Sequence, residues 1–173
     1  MVGDGTTNRW HIAQLNVARA STPLDSPLLA DFMAALDDIN ALAEASRGFV
    51  WRLKSDSGNA TDIKITGDPN LIVNMTVWET VEALFDFVYR TAYTKVMARR
   101  REWFEKPVEA YQVLWWVPAG HVPTLNEAFA RLDLLRRNGP SVHAFTFKER
   151  HAPPDSAMPP ADLGPERLCV GWS

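Results

Sequence analysis

The chain lacks most of the residue patterns by which an enzyme mechanism is read from sequence. A single cysteine, Cys169, stands in 173 residues. One thiol cannot close an internal disulfide, so no covalent staple is expected and the count fits a reducing compartment. The four histidines show no HExxH or facial-triad spacing, which excludes the common catalytic metal sites. A Gly-rich phosphate loop, a CxxC pair, a GxSxG elbow and carboxylates at glycosidase-like spacing are all missing. Nucleotide-binding and hydrolase readings lose their warrant. No apolar run reaches bilayer length, and the opening residues hold no apolar signal core. A cytoplasmic protein with no membrane partner is expected. A net charge of −3 is not the basic footprint of a nucleic-acid binder, so no nucleic-acid partner is expected either. The one basic run, Arg99 to Arg101, is followed by Glu102 and Glu105. It reads as a solvated helix face, with one arginine available to an anionic ligand.

What is present is apolar and aromatic. Hydrophobic residues make up 46% of the chain and charged residues 23%, enough for the core of one domain. Seven tryptophans are more than a core of this size needs, and tryptophan often lines pockets and interfaces. Residues 1–9 read as a polar, flexible leader. Residues 10–150 read as a single domain, and 151–173 as a Pro-rich extended tail.

Within 10–150 the periodicity switches repeatedly between two and 3.6. Residues 10–18 alternate as a strand. Ser26 and Pro27 mark a helix start, with Ser26 as N-cap. Leu29, Phe32, Met33, Leu36, Ile39 and Ala43 recur at three and four, which predicts an amphipathic helix to about Ala45. Gly48 closes it, and strands follow over 49–54 and, after a turn-rich connection, 71–78. Thr80 caps a helix over 81–90, and one further helix is predicted over 92–104 before Pro107. The fourth strand runs over 109–118, a third amphipathic helix over 124–137, and a last edge strand over 143–149. The order β-α-β-β-α-β predicts an α+β, ferredoxin-like domain with an appended C-terminal helix and edge strand.

The strand over 71–78 raises a question. Leu71, Val73, Met75 and Val77 share one face, and Ile72, Asn74, Thr76 and Trp78 the other. An amide, a hydroxyl and an indole are odd choices for a plain solvent face. Either Asn74 and Trp78 line a cavity, or Asn74 bonds Asn16 across strands while Trp78 fills the core. On strand four, Trp115 and Trp116 point to opposite faces, and the stripe turned away from the helices, Val113/Trp115/Val117 or Leu114/Trp116, needs a cover, for which a partner's sheet is the economical choice.

The blocks "HIAQLNVA", "GFVWRL", "NATDI", "VNMTVWETVEALFDFVY", "RREWFE" and "LWWVPAGHVPT" together resemble the DUF3291 family, over about 10–150. That family is of unknown function and is placed with dimeric α/β-barrel proteins, among which are antibiotic-biosynthesis and haem-degrading monooxygenases. The resemblance implies a homodimer with a small-molecule cavity between sheet and helices. It carries the cavity positions of that superfamily onto Asn16, Asn74 and Trp78, with Tyr89 and Arg90 nearest the position a histidine holds in haem degraders. Those five are the expected catalytic set for a monooxygenase-like enzyme acting on an aromatic or polycyclic substrate without a tightly held metal or cofactor. Gln14, Trp51, Trp103, Trp116 and His121 are the expected substrate-binding set. Two alternatives stay open: haem held through His121 or Tyr89, and a metabolite-binding module without catalysis.

Overall fold

A computed structural model describes residues 9–54 and 68–154. Most of the leader, most of the connection between the second and third strands, and most of the tail with Cys169 lie outside the described residues. Four strands form one sheet: β1 (Trp10–Arg19), β2 (Phe49–Arg52), β3 (Leu71–Trp78) and β4 (Gln112–Pro118). Their order is β2-β3-β1-β4 and every neighbouring pair is antiparallel. With α1 (Ala30–Ala45) between β1 and β2, and α2 (Val81–Arg90) after β3, this is the ferredoxin-like split β-α-β arrangement that the element order predicts.

Each helix starts and stops for a local reason. The Thr80 hydroxyl accepts from the Ala83 amide at 3.1 Å and so caps α2. Gly48 follows α1 at φ +83°, a conformation L side chains resist, and a Cβ there would sit 2.6 Å from the Ala83 Cβ. Thr124 caps α5 (Leu125–Asn138) through the Glu127 amide at 3.1 Å, and Gly139 at φ +74° ends it. Two expectations are corrected here. Ser26 does not cap with its side chain: a 3-10 turn over Pro27–Leu29 precedes α1, and the Ser26 hydroxyl bonds Thr22 at 2.6 Å instead. The single helix expected over 92–104 is two, α3 (Tyr93–Ala98) and α4 (Arg100–Trp103), separated at Arg99. Arg99 is tied there on the surface, to Asp31 and to Glu102, each at 2.9 Å.

The sheet buries both faces. Ala13, Leu15, Val17, Val73, Met75, Val77, Val113, Trp115 and Val117 form one core together with Ala128, Leu132 and Leu135 of α5. The chain thus covers its own Trp115 stripe with α5, and no partner sheet is needed there. The other face packs Ile12, Trp78 and Leu114 against α1 and α2. The edge strand expected over 143–149 does not form. Only Phe145 bridges to β4, exchanging two backbone hydrogen bonds with Leu114 at 2.8 and 2.9 Å. Phe145 and Phe147 are drawn instead into the core beside α2, which pulls the segment away from strand geometry.

α5 is also pinned by polar contacts. Glu127 accepts from the Trp115 indole at 3.0 Å and pairs with His121 at 2.8 Å. Burial raises the Glu127 pKa, but the hydrogen bonds from His121 and Trp115 outweigh it and leave the carboxyl below its usual value.

Two outcomes are expected. Leu132→Ala, which opens a cavity between α5 and the sheet, should lower unfolding free energy by about 2–5 kcal/mol in urea denaturation. Because the folded pKa of Glu127 is depressed, its stabilisation is present above the ordinary carboxyl pKa and lost as pH falls through the lowered one. Stability measured against pH should therefore fall less steeply on the acid side in Glu127→Gln than in the wild type.

Candidate functional site

Register alone brings the polar residues of the second face together. Asn16 pairs with Asn74 on one side and with Gln112 on the other, so three amides lie in one row across β3, β1 and β4. The next row holds Arg52, Thr76, Gln14 and Leu114, and beyond Ile12 the row of Phe49, Trp78 and Trp116 is apolar. The face grades from apolar at one end to amide-rich at the other. Over the polar end the helices leave a cleft of three lobes, and all three meet at Asn74 and Tyr93. The first is lined by Gln14, Asn16 and Gln112 with Tyr89 and Tyr111. The second runs between Asn16, Asn74, Met97, Arg100 and Trp103. The third lies among Phe32, Asn40, Arg52 and Asn74.

Hydrogen-bond chemistry fixes the polarity of this wall. The Trp78 indole can only donate, and it donates to the Thr76 hydroxyl at 3.0 Å. The hydroxyl in turn donates its hydrogen to the Gln14 carbonyl oxygen, 3.0 Å away. The Gln14 amide is left to offer its NH2 end elsewhere. Asn16 is buried and Asn74 exposed, and no hydrogen bond joins the two amides. The cross-strand pairing that would have made both purely structural is absent.

Arg100 is the unexpected member of the site. Its residue is 4% exposed, and one Nη donates to the Val17 carbonyl at 3.4 Å. The guanidinium lies over the rings of Tyr111 at 4.6 Å and Phe104 at 5.6 Å. Burial lowers its pKa, with the nearby Tyr111 and Tyr93 hydroxyls acting the other way. The position is set by the chain running antiparallel to the end of β1: Ala20 bridges Phe104, and the Ser21 amide and hydroxyl both donate to the Trp103 carbonyl, at 2.9 and 2.8 Å. Tyr93 is half-buried, and desolvation pushes its hydroxyl pKa up against the pull of Arg100. Its ring stacks on Phe87 at 5.2 Å, which stacks on Trp78 at 5.1 Å.

The expected site residues divide. Gln14, Asn16, Asn74, Tyr89 and Trp103 line the cleft. Trp78 does not: it is fully buried and packs edge-on against Phe49 at 5.4 Å, so its tie to the cleft runs only through Thr76. Arg90 is exposed and paired with Asp86 at 3.0 Å, one turn back on α2. Trp51 pairs with Val77 and therefore faces the α5 side. Trp116 lies beyond the cleft, its indole donating to the His151 carbonyl at 2.9 Å. His121 sits outside the cleft on its pair with Glu127. No histidine lines the three lobes, and Tyr89 is packed against Phe85 at 4.6 Å and Phe147 at 5.7 Å. The imidazole that most often holds haem iron is therefore not offered by these lobes. Among the described residues no group of three or more His, Cys, Asp or Glu could hold a metal ion, and no helix is long and apolar enough to cross a membrane.

Gln112, Arg52, Tyr93 and Tyr111 were not read from the sequence, and Arg100 only as one of three arginines in a run from which one was expected to be available to a ligand. Gln112 was legible: it has the parity of Leu114 and Trp116, and it pairs with Asn16 once β4 is set beside β1. Arg100 carried no signal beyond its basic run, because only the break at Arg99 and the pairing with the end of β1 distinguish it from its neighbours.

Fold and cleft together define a ferredoxin-like α+β protein with a narrow, amide-lined cleft between sheet and helices. The chain belongs to the DUF3291 family, a domain of unknown function whose profile matches residues 11–161. No curated protein matches the sequence. Among solved structures it is similar to a protein of unknown function from Nitrosomonas europaea, at 17% identity and TM-score 0.43, covering 68% of this chain and 98% of that one. A conserved protein from Methanosarcina mazei Go1 aligns at 10% identity and TM-score 0.46, over 65% and 95% of the two chains. A monooxygenase of Streptomyces coelicolor, in complex with the ligand nanaomycin D, aligns at 11% identity and TM-score 0.39, over 68% and 95%.

Trp78→Phe keeps an aromatic ring in the stack but removes the indole N–H. We expect a loss of about 1–3 kcal/mol in unfolding free energy, from the smaller ring and the released hydroxyl. An unchanged urea midpoint would show that the indole does not serve the core.

Proposed function

We propose that the cleft binds a small planar molecule and that the protein acts on it as a cofactor-independent monooxygenase. One observation carries the reading. The described lining offers amides, hydroxyls, arginines and aromatic rings, but no carboxylate, imidazole or thiol. Hydrolysis by a nucleophile and its base has no groups to work with there. Chemistry in such a cleft must reside in the substrate, and a phenol or enol supplies it. Its anion gives electrons to dioxygen, while fixed donors hold the charge.

For a simple phenol the balance is closed by dioxygen as the only co-reactant. One oxygen atom bonds to a ring carbon and becomes the second carbonyl of a quinone. The other leaves as water, with the phenolic proton and the displaced ring hydrogen. The substrate supplies all four electrons. The Gln14 NH2, turned away from Thr76, and the amides of Asn16 and Asn74 are the donors for the oxyanion. The narrowness of the lobes favours a single ring over a polycyclic substrate.

Asn74→Ala tests the assignment, because Asn74 is exposed and its loss should leave stability within about 0.5 kcal/mol. Ligand affinity or turnover of a phenol panel, followed by calorimetry and oxygen uptake, should weaken by about 1–3 kcal/mol. Saturable binding with no oxygen uptake would leave a metabolite-binding module. A large fall in melting temperature with unchanged binding would refute the site.

A further inference from the structure

We infer that the Tyr93 hydroxyl is the donor that meets the ligand's phenol or enol oxygen where the three lobes join, beside Asn74. The inference rests on the cleft being a small-molecule site and names the side chain that engages the reacting oxygen. Among the described residues only Asn74 and Tyr93 line all three lobes. Tyr93 is fixed there from two sides. The Thr91 hydroxyl donates to the Phe87 carbonyl at 2.6 Å and accepts from the Tyr93 amide at 3.3 Å, which ties the start of α3 to the last turn of α2. The Tyr93 ring lies nearly parallel to Phe87, at 18°, in the stack that continues to Trp78. A phenylalanine would complete that stack equally well. The hydroxyl is therefore surplus to the packing, and among the described residues it makes no hydrogen bond. A partly desolvated hydroxyl without a partner is a cost, which a ligand oxygen in the cleft removes. Burial favours the protonated form, so the group keeps its hydrogen and serves as a donor rather than a base. The other titratable residues lining the lobes are Arg52, Tyr89, Arg100 and Tyr111, none of them a carboxylate or an imidazole.

The test is a two-by-two comparison in the full chain. The probes are 4-nitrophenol and 4-nitrotoluene, in which a methyl group replaces the hydroxyl, and the proteins are the wild type and Tyr93→Phe. In calorimetric titrations the wild type should bind the phenol at least about tenfold more tightly than the toluene. Tyr93→Phe should lose most of that preference by weakening the phenol alone, with its thermal melt unchanged. Only the anion of this phenol is yellow, so absorbance gives a second reading. A donor at the oxygen should let the bound probe ionise at lower pH in the wild type than in Tyr93→Phe. Equal affinities of the wild type for the two probes would overturn the inference with no variant needed. Equal weakening of both probes in Tyr93→Phe would leave the residue a packing role only, and the inference would fall. If the phenol preference survives Tyr93→Phe but disappears in Asn74→Ala, the cleft reading stands and the assignment to Tyr93 is wrong. Binding of neither probe sinks this inference, and no response to Asn74→Ala across the wider phenol panel would remove the cleft reading beneath it.

Discussion

The structure depends first on the register of β1 between β3 and β4. Side chains alternate with a period of two, so a slip of one residue would turn every one of them to the other face. With Asn16 opposite both Asn74 and Gln112, the odd positions of all three strands fall on one side and make a single apolar sheet face. The even positions make the graded face beneath the helices. α5 then has a continuous apolar surface to cover, and α1 and α2 close over the apolar end of the other. The cleft is what the helices leave at the end where the row turns from tryptophan to amide.

The second constraint is the direction of the hydrogen bonds along β3 and β1. An indole donates and cannot accept, so Thr76 accepts from Trp78, and it gives its own hydrogen to the Gln14 carbonyl oxygen, which leaves the NH2 end of that amide over. A residue with no surface in the cleft is thereby tied to its wall. Phenylalanine could fill much of the same core volume, but it would leave the Thr76 hydroxyl without that donor. Trp78 serves stability and site geometry through one N–H group.

The strands, the three amphipathic helices and the assignment of residues to sheet faces were legible in the sequence, because each rests on local periodicity. So was the amide pair at Asn16 and Asn74, since both lie at even parity on strands that flank each other in this topology. What was not legible depended on partners distant in sequence. Trp51 reads as a cavity residue until a register shift in β2 places it beside Val77. Phe145 and Phe147 read as a strand until the core beside α2 claims them. The apolar stripe at Trp115 reads as a dimer surface only if α5 is assumed to go elsewhere. Arg100 sits in a run whose composition says surface, and the tertiary pairing with the end of β1 buries it.

A buried arginine in an otherwise apolar lobe is expensive to keep. Burial disfavours the charged form, and an apolar residue of similar volume would fill the same space without that penalty. Its bond to the Val17 carbonyl is long, at 3.4 Å, and its guanidinium lies over two aromatic rings. Cores do not ordinarily retain such a group for stability alone. The same wall carries Gln14 with its NH2 left over by Thr76, and Asn16 and Asn74 without a bond to each other. Each amide carries an acceptor oxygen as well as its NH2, so the row can meet donors and acceptors alike.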